Sequence, residues 1–161
     1  MKDWKLIAFL ISLIILLMVF AKTIKKKLTR GYINKNPGNI RLNGEHWQGE
    51  VEPSRDKEFK EFISMPYGYR AMFVLLRTYI IDQNLNTIRK IISTYAPVNE
   101  NHTEGYIGFV SLQTGILPDR LINFYDSDVI KSLVAAISYF ENGIEPDMKE
   151  INFGLTLYKN E

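Results

Sequence analysis

The stretch NKNPGNIRLNGEHWQGE, residues 34–50, decides the fold because it concentrates turn-forming residues just before the helical part of the chain. It contains two turn pairs, Pro37-Gly38 and Asn43-Gly44. An Asn-Gly pair between two short extended segments is typical of a two-residue type I′ hairpin turn. The stretch therefore predicts a β-hairpin that pairs residues 40–42 with residues 45–47.

The rest of the chain after this stretch is predominantly helical in pattern, apart from a third extended piece predicted at residues 59–62. Apolar residues recur at helical spacing between Pro, Gly, Asn and Asp residues that suit helix ends. The sequence thus predicts an α+β domain, mainly helical, with a small antiparallel sheet near its start. The predicted helices span 66–82, 86–96 (capped by Asn86), 103–114, 118–125, 127–142 and 146–158.

Composition limits the chemistry available to the chain. Its 161 residues, 12% of them aromatic, suffice for one domain with a core. No cysteine is present, which excludes disulfides, thiolate metal sites and cysteine nucleophiles. The only imidazoles are His46 and His102, and they lack the spacing of a zinc motif. We therefore predict neither a metal nor a cofactor.

Charge is distributed unevenly along the chain. Residues 1–30 contain seven of the 20 basic residues and one of the 18 acidic residues. The remainder of the chain therefore contains 13 basic and 17 acidic residues. Phosphate binding needs a basic face, and this remainder is mildly acidic. The balance argues against nucleic acid as a partner.

Residues 6–21, LIAFLISLIILLMVFA, form an uncharged apolar run at the N-terminus. As a helix they would span about 24 Å, and Trp4 with the flanking lysines would extend this toward a bilayer core of about 30 Å. We predict a transmembrane anchor over 1–22, a basic juxtamembrane linker over 23–30 suited to anionic lipids, and a soluble domain over 31–161. A signal peptide cleaved after Ala21 is the alternative, but the long apolar run and the basic residues after it favour a retained anchor.

More basic residues follow the apolar run than precede it. The positive-inside rule therefore places the C-terminal domain on the cytoplasmic side of the membrane. This orientation suits a protein that is made in a host cytoplasm and carried on a membrane packaged into a particle.

Several separated motifs resemble a family of virion structural proteins from tailed and membrane-containing bacteriophages. The motifs occur in order between about Arg30 and Tyr125, and the region of Gly143 also fits; they are RGYINKNPGNIR, W-Q-G, FKEF, PYGYRA and NTIRKIISTYAPVNENHTEGYI. The chain departs from the family pattern at Lys35 and Tyr95, where many members carry asparagine and tryptophan. The family is distantly similar to lysozyme-like glucosaminidases and lytic transglycosylases, so the resemblance implies a lysozyme-like domain.

Glycan cleavage by such enzymes needs a carboxylic acid in an apolar pocket. No Asp or Glu lies between Lys5 and Gly44, the region in which the resemblance would place that acid. A rearranged site would use Glu45, Glu50 or Glu100. We name Glu100 and Glu50 as the catalytic candidates, although Glu100 also suits a polar helix start and Glu50 a solvated loop.

The candidate substrate-binding residues are Asn39, Arg41, Trp47, Arg70 and Tyr106. The arginines would bind a carboxylate of peptidoglycan, or else pair with Asp56 or Glu61. Trp47 would stack on a sugar or belong to the core, and asparagines in such turns often bond their own backbone.

These patterns lead to a membrane-anchored phage virion protein, located in a virion membrane or the host inner membrane. Its domain would cleave or bind host peptidoglycan, as a glycosidase or lytic transglycosylase if it is an enzyme. The alternative is a non-catalytic structural protein that links an internal membrane to capsid proteins.

Overall fold

The computed structural model describes residues 3–96 and 102–160. Within them the chain forms seven α-helices, and a π-helical turn, Thr78–Asp82, continues the third. The helices are α1 Asp3–Leu28, α2 Arg30–Ile33, α3 Met65–Arg77, α4 Ile88–Tyr95, α5 Thr103–Thr114, α6 Ser127–Asn142 and α7 Met148–Lys159.

Helix α1 is continuous through both the predicted anchor and most of the predicted linker. Its window Trp4–Ala21 has a mean hydropathy of 2.6, and none of that window is buried. By length and composition this helix can cross a membrane. The expected apolar N-terminal helix is therefore present, and it runs on to Leu28 rather than ending near residue 22.

The predicted α+β class is wrong, since the described residues contain no β-strand and the domain is all-helical. Extended pairing is limited to two isolated antiparallel bridges, Arg41 with Phe59 and Glu50 with Phe62. The resemblance implied a lysozyme-like domain with an N-terminal hairpin, and that expected fold is therefore also wrong.

The predicted hairpin fails because another segment occupies its place. Residues 58–60 pair with the first predicted arm, 40–42, and residues 61–63 pair with residues 49–51, beyond the second predicted arm. On one side Leu42 N–H donates to Glu58 O at 2.8 Å, and on the other Val51 N–H donates to Glu61 O at 2.8 Å. The loop at Asn43-Gly44 is exposed and joins two arms that do not pair with each other.

The core lies around α3, which packs most extensively against α7. Tyr69 and Phe73 on α3 are fully buried. A Cβ at Gly154 of α7 would lie 2.7 Å from Tyr69 Cβ and 2.9 Å from Pro66 O, so the two helices can approach this closely only at a glycine. Helices α4, α5 and α6 complete the bundle.

Most helix ends agree with the sequence prediction. Gly115 and Gly143 end α5 and α6 in left-handed conformations, and Asp126 caps the start of α6. The cap of α4 is Thr87, whose hydroxyl accepts from Lys90 N–H, and not the predicted Asn86.

The helix predicted over 118–125 does not form. Tyr125 N–H donates to the side chain of Asn123, which stabilises a turn at that point. Leu121 and Tyr125 are more than 70% exposed whereas Ile122 and Phe124 are buried, so the buried apolar residues lie two positions apart and do not line one face of a helix.

Candidate functional site

The segment Asn34–Ile40 is held in place chiefly by one buried side chain, Asn36. Its amide group donates to Ile40 O and to Lys60 O, and its carbonyl accepts from Ile40 N–H, all at 2.9 Å. The asparagine thus serves its own turn, as its residue type suggests, and it also fixes the neighbouring segment that carries Lys60.

A second set of contacts joins the end of the apolar helix to the domain. Arg30 binds both carboxylate oxygens of Asp56 at 2.7 Å, and Asn34 donates to the same carboxylate at 2.7 Å. Hydrogen bonds from Arg30 hold the pKa of Asp56 well below its usual range. Asp56 therefore pairs with Arg30, and Glu61 pairs with Arg55. These are not the pairs with Arg41 or Arg70 that the sequence suggested as an alternative.

Glu50, one of the two catalytic candidates, lies in a buried ion pair. Lys60 Nζ is 2.8 Å and 2.9 Å from the two oxygens of Glu50, and it also donates to Glu45 O at 2.7 Å. Glu50 in addition accepts from Trp47 N–H at 3.0 Å. The lysine and glutamate side chains are 1% and 4% exposed, so this carboxylate stabilises the loop from inside.

A cleft of about 350 Å³ opens beside Asn39 and Arg41. Among the described residues, its wall combines aromatic rings, aliphatic groups, amides, one guanidinium and one carboxylate, a mixture typical of small-molecule sites. The lining residues are Asn39, Ile40, Arg41, Leu42, Asn43, Phe59, Leu75, Tyr79, Tyr95, Ala96 and Glu141.

The carboxylate of the cleft belongs to Glu141, near the end of α6. Asn39 donates to one of its oxygens at 3.0 Å, and Tyr106 donates to the other at 3.0 Å. Tyr106 is buried and stacks on Phe140 with the ring centroids 3.6 Å apart. These contacts fix the orientation of the carboxylate at the cleft wall.

Two buried tyrosines beside Glu141 remain protonated. Burial raises the pKa of Tyr95 and of Tyr106 well above the usual value of 10, and the nearby charge of Glu141 raises both further. Tyr95 donates its hydroxyl hydrogen to Gly38 O. The tyrosines therefore act as fixed donors at neutral pH.

The structure brings together only part of the predicted site. Asn39 and Arg41 line the cleft, and Tyr106 contacts it through Glu141. Trp47 and Arg70 do not line this cleft: Trp47 packs beside Lys60, and Arg70 is buried on α3. Glu100 lies outside the described residues, so its predicted role stays a prediction.

Glu141, Tyr79 and Tyr95 were not predicted as site residues. The sequence SYFENG marks only a helix end, and nothing in it indicates that Glu141 meets Asn39, which is 102 positions away in the chain. In the sequence, Tyr95 was noted only as a departure from the family pattern and was not connected with a site.

Comparison with known proteins gives one informative match. No family model matches the chain. The chain is 38% identical over 120 residues to protein P5 of Pseudoalteromonas phage PM2, and the match covers 73% of each chain. The predicted relation to a bacteriophage protein is thereby confirmed, and the chain belongs to the family of protein P5 of Pseudoalteromonas phage PM2.

Proposed function

We propose that this chain is a membrane-anchored structural protein of a phage virion whose domain also binds host peptidoglycan. The observation that carries the first part is the fully exposed apolar window Trp4–Ala21 in a chain of a phage protein family. An apolar surface of this size is not stable in water, and a bilayer is the environment that would cover it.

The join between anchor and domain supports a fixed attachment. Arg30 follows α1 after a single residue and is bound to Asp56 of the domain. At the next residue, a Cβ on Gly31 would lie 2.3 Å from the side-chain oxygen of Asn142, so this glycine packs directly against the end of α6. The domain therefore starts where the basic segment ends.

Exposed apolar residues in the segment before α6 favour a structural role. Leu117, Leu121 and Tyr125 are each more than 70% exposed. An exposed apolar surface of this kind suits contact with a capsid protein, as in a link between membrane and shell.

The cleft supports the second part of the proposal. Sugar rings present apolar faces and hydroxyl edges, and the cleft offers Tyr79 and Phe59 together with the polar groups of Asn39, Arg41 and Glu141. Binding is favoured over cleavage because Glu50 is neutralised by Lys60 and Glu141 is held by two donors.

Membrane attachment is tested with the full chain expressed in bacteria. We expect it to remain in the membrane fraction after alkaline carbonate extraction. Because the chain has no cysteine, Leu121→Cys provides a single reporter thiol on the domain. A membrane-impermeant maleimide should label this thiol only after the cells are opened. Release by carbonate, or labelling of intact cells whose outer membrane is permeabilised, would contradict the anchor or its orientation.

Virion and peptidoglycan association need separate measurements. The full chain should co-purify with intact particles and stay with their membrane when the shell is removed. In detergent it should sediment with purified sacculi without solubilising them. Absence from purified particles would overturn the structural role, and failure to sediment with sacculi would overturn peptidoglycan binding.

A further inference from the structure

We propose that two exposed isoleucines at the start of the domain, Ile33 and Ile63, insert into the lipid headgroup layer and seat the domain on the membrane from which it emerges. This inference rests on the proposed membrane anchor. It adds a second membrane contact, which the domain itself makes with the bilayer around the apolar helix.

The two isoleucines lie beside one backbone hydrogen bond. Phe62 N–H donates to Asn34 O at 2.8 Å. Ile33 precedes Asn34 in the chain and Ile63 follows Phe62, so both adjoin this bond. Ile33 is 47% exposed and Ile63 is 60% exposed. The fold thus brings two large aliphatic side chains from separate segments to neighbouring positions on the surface.

The core of the domain requires neither isoleucine. Phe62 is 1% exposed, and successive side chains of an extended segment point to opposite sides, so Ile63 faces outward. Tyr32, the neighbour of Ile33 in α2, is buried in the same way. Single exposed apolar residues are common on soluble proteins. The feature that gives this pair a partner is its position next to the apolar helix.

The apolar helix ends within reach of this pair. After the apolar window, residues 22–28 continue α1 and rise about 10 Å along its axis. A headgroup layer is about 5–8 Å thick on each side of the hydrocarbon core, and membrane helices are commonly tilted by about 20°. Because Ile33 follows the last residue of α1 by only five positions, the start of the domain lies at the outer edge of the headgroup layer.

The charges around this point suit a lipid surface. Arg30 is paired with Asp56 at 2.7 Å and with Glu58 at 3.0 Å, so these two acids are neutralised. Lys57, between them in the chain, is exposed, and residues 22–28 contain four lysines. The excess of positive charge favours anionic lipids, and apolar side chains next to basic residues are typical of segments that lie in the membrane interface.

The test uses the full chain reconstituted in vesicles of phosphatidylethanolamine and phosphatidylglycerol. Because the chain has no cysteine, Ile63→Cys provides a single thiol for an environment-sensitive fluorophore. Leu121→Cys is the matched control, since Leu121 is also an exposed aliphatic residue but belongs to the segment before α6. Lipids that carry a spin label just below the headgroup should quench the fluorophore at position 63 strongly and the one at position 121 weakly.

A second measurement tests whether the two isoleucines act together. Ile33→Ser should reduce the quenching at position 63 by roughly half, because about half of the inserted apolar surface is lost. Leu117→Ser, a change at an exposed leucine of the control segment, should leave it unchanged. Quenching at position 63 no stronger than at position 121, or unaffected by Ile33→Ser, would overturn the inference.

Carbonate extraction of the same variants separates this inference from the proposed anchor. Retention in the membrane together with a fluorophore at position 63 that stays in water would overturn the inference and leave the anchor standing. Release of the chain by carbonate would overturn the anchor, and the membrane contact of the domain with it.

Discussion

Replacement of Glu50 by glutamine is expected to destabilise the domain strongly, because it leaves the buried ammonium of Lys60 without its counter-charge. The lysine side chain is 1% exposed and lies within 2.9 Å of both carboxylate oxygens. Removing one member of a buried ion pair costs about 3–5 kcal/mol. For a urea dependence of about 2 kcal/mol per molar, this corresponds to a midpoint lower by roughly 2 M.

The double variant Glu50→Gln with Lys60→Met distinguishes the effect of an unpaired buried charge from the effect of changed packing. It removes both charges and keeps a glutamine oxygen that can accept from Trp47 N–H. Replacing a whole buried pair by uncharged groups is often neutral, so most of the lost stability should return. Glu45→Gln is the matched control, since its exposed side chain lies in the same loop but only its backbone carbonyl binds Lys60.

Tryptophan fluorescence during urea unfolding measures the effect in detergent. The chain has two tryptophans, so a Trp4→Phe background makes Trp47 the reporter, and Trp47 lies 5.9 Å from Lys60 Nζ. A loss below about 1 kcal/mol in Glu50→Gln, equal to that of the Glu45 control, would refute the structural role of Glu50. Glu50 would then again be a candidate catalytic acid.

Three further changes test other parts of the fold, each by urea unfolding of the full chain. Gly154→Ala should cost about 1–3 kcal/mol because the new methyl group would meet helix α3, whereas Gly108→Ala, with open space around it, should be neutral or gain up to about 1 kcal/mol; equal effects would refute the close helix contact. Asn36→Ala should cost at least about 2 kcal/mol because it leaves two buried backbone groups, Ile40 N–H and Lys60 O, without their partner, and a loss under 1 kcal/mol would contradict this. Stability should fall as the pH drops below about 4, because the pKa values of Asp56 and Glu61 are lowered in the folded protein, so their contribution is complete above the unfolded values and is lost progressively as the pH falls toward the folded ones; a flat profile from pH 6 to 3 would contradict it.

Helix positions could be predicted because their determinants are local. Apolar residues at helical spacing and the residues at the ends, such as Pro66, Gly115 and Gly143, act within one element. Five of the six helices predicted after residue 65 form, with ends within a few residues. The apolar run over 6–21 was equally local, since a membrane-spanning helix is specified by its own composition.

The hairpin was predicted wrongly because its alternative is not local. Asn43-Gly44 satisfies the turn preference, but residues 58–63 compete for the same backbone groups and are held by Asn36 and Lys60. The buried amide of Asn36 and the buried ammonium of Lys60 decide that competition. Asn36 binds Lys60, which is 24 positions away in the chain, and Lys60 binds Glu45, which is 15 positions away. Local turn chemistry contains no information about them.

The cleft was only half predictable for the same reason. Asn39 and Arg41 belong to one short motif, whereas Glu141 comes from the end of α6. Sequence reasoning named Glu100, which lies outside the described residues, and Glu50, which is close to the motif in the chain but forms a buried ion pair with Lys60. The acid that faces Asn39 is near in space because Asn142, the next residue, donates to Pro37 O at 2.8 Å and binds the same segment.

The segment after the apolar helix and the cleft carboxylate both depend on the last turn of α6. Gly31 packs on Asn142, and Asn39 binds Glu141, so residues 31–39 are attached at both ends to one turn of α6. Displacement of that turn would therefore move the start of the domain and the cleft carboxylate together. Because Arg30 fixes the start of this segment to Asp56 immediately after α1, the cleft is built on the segment that directly follows the apolar helix.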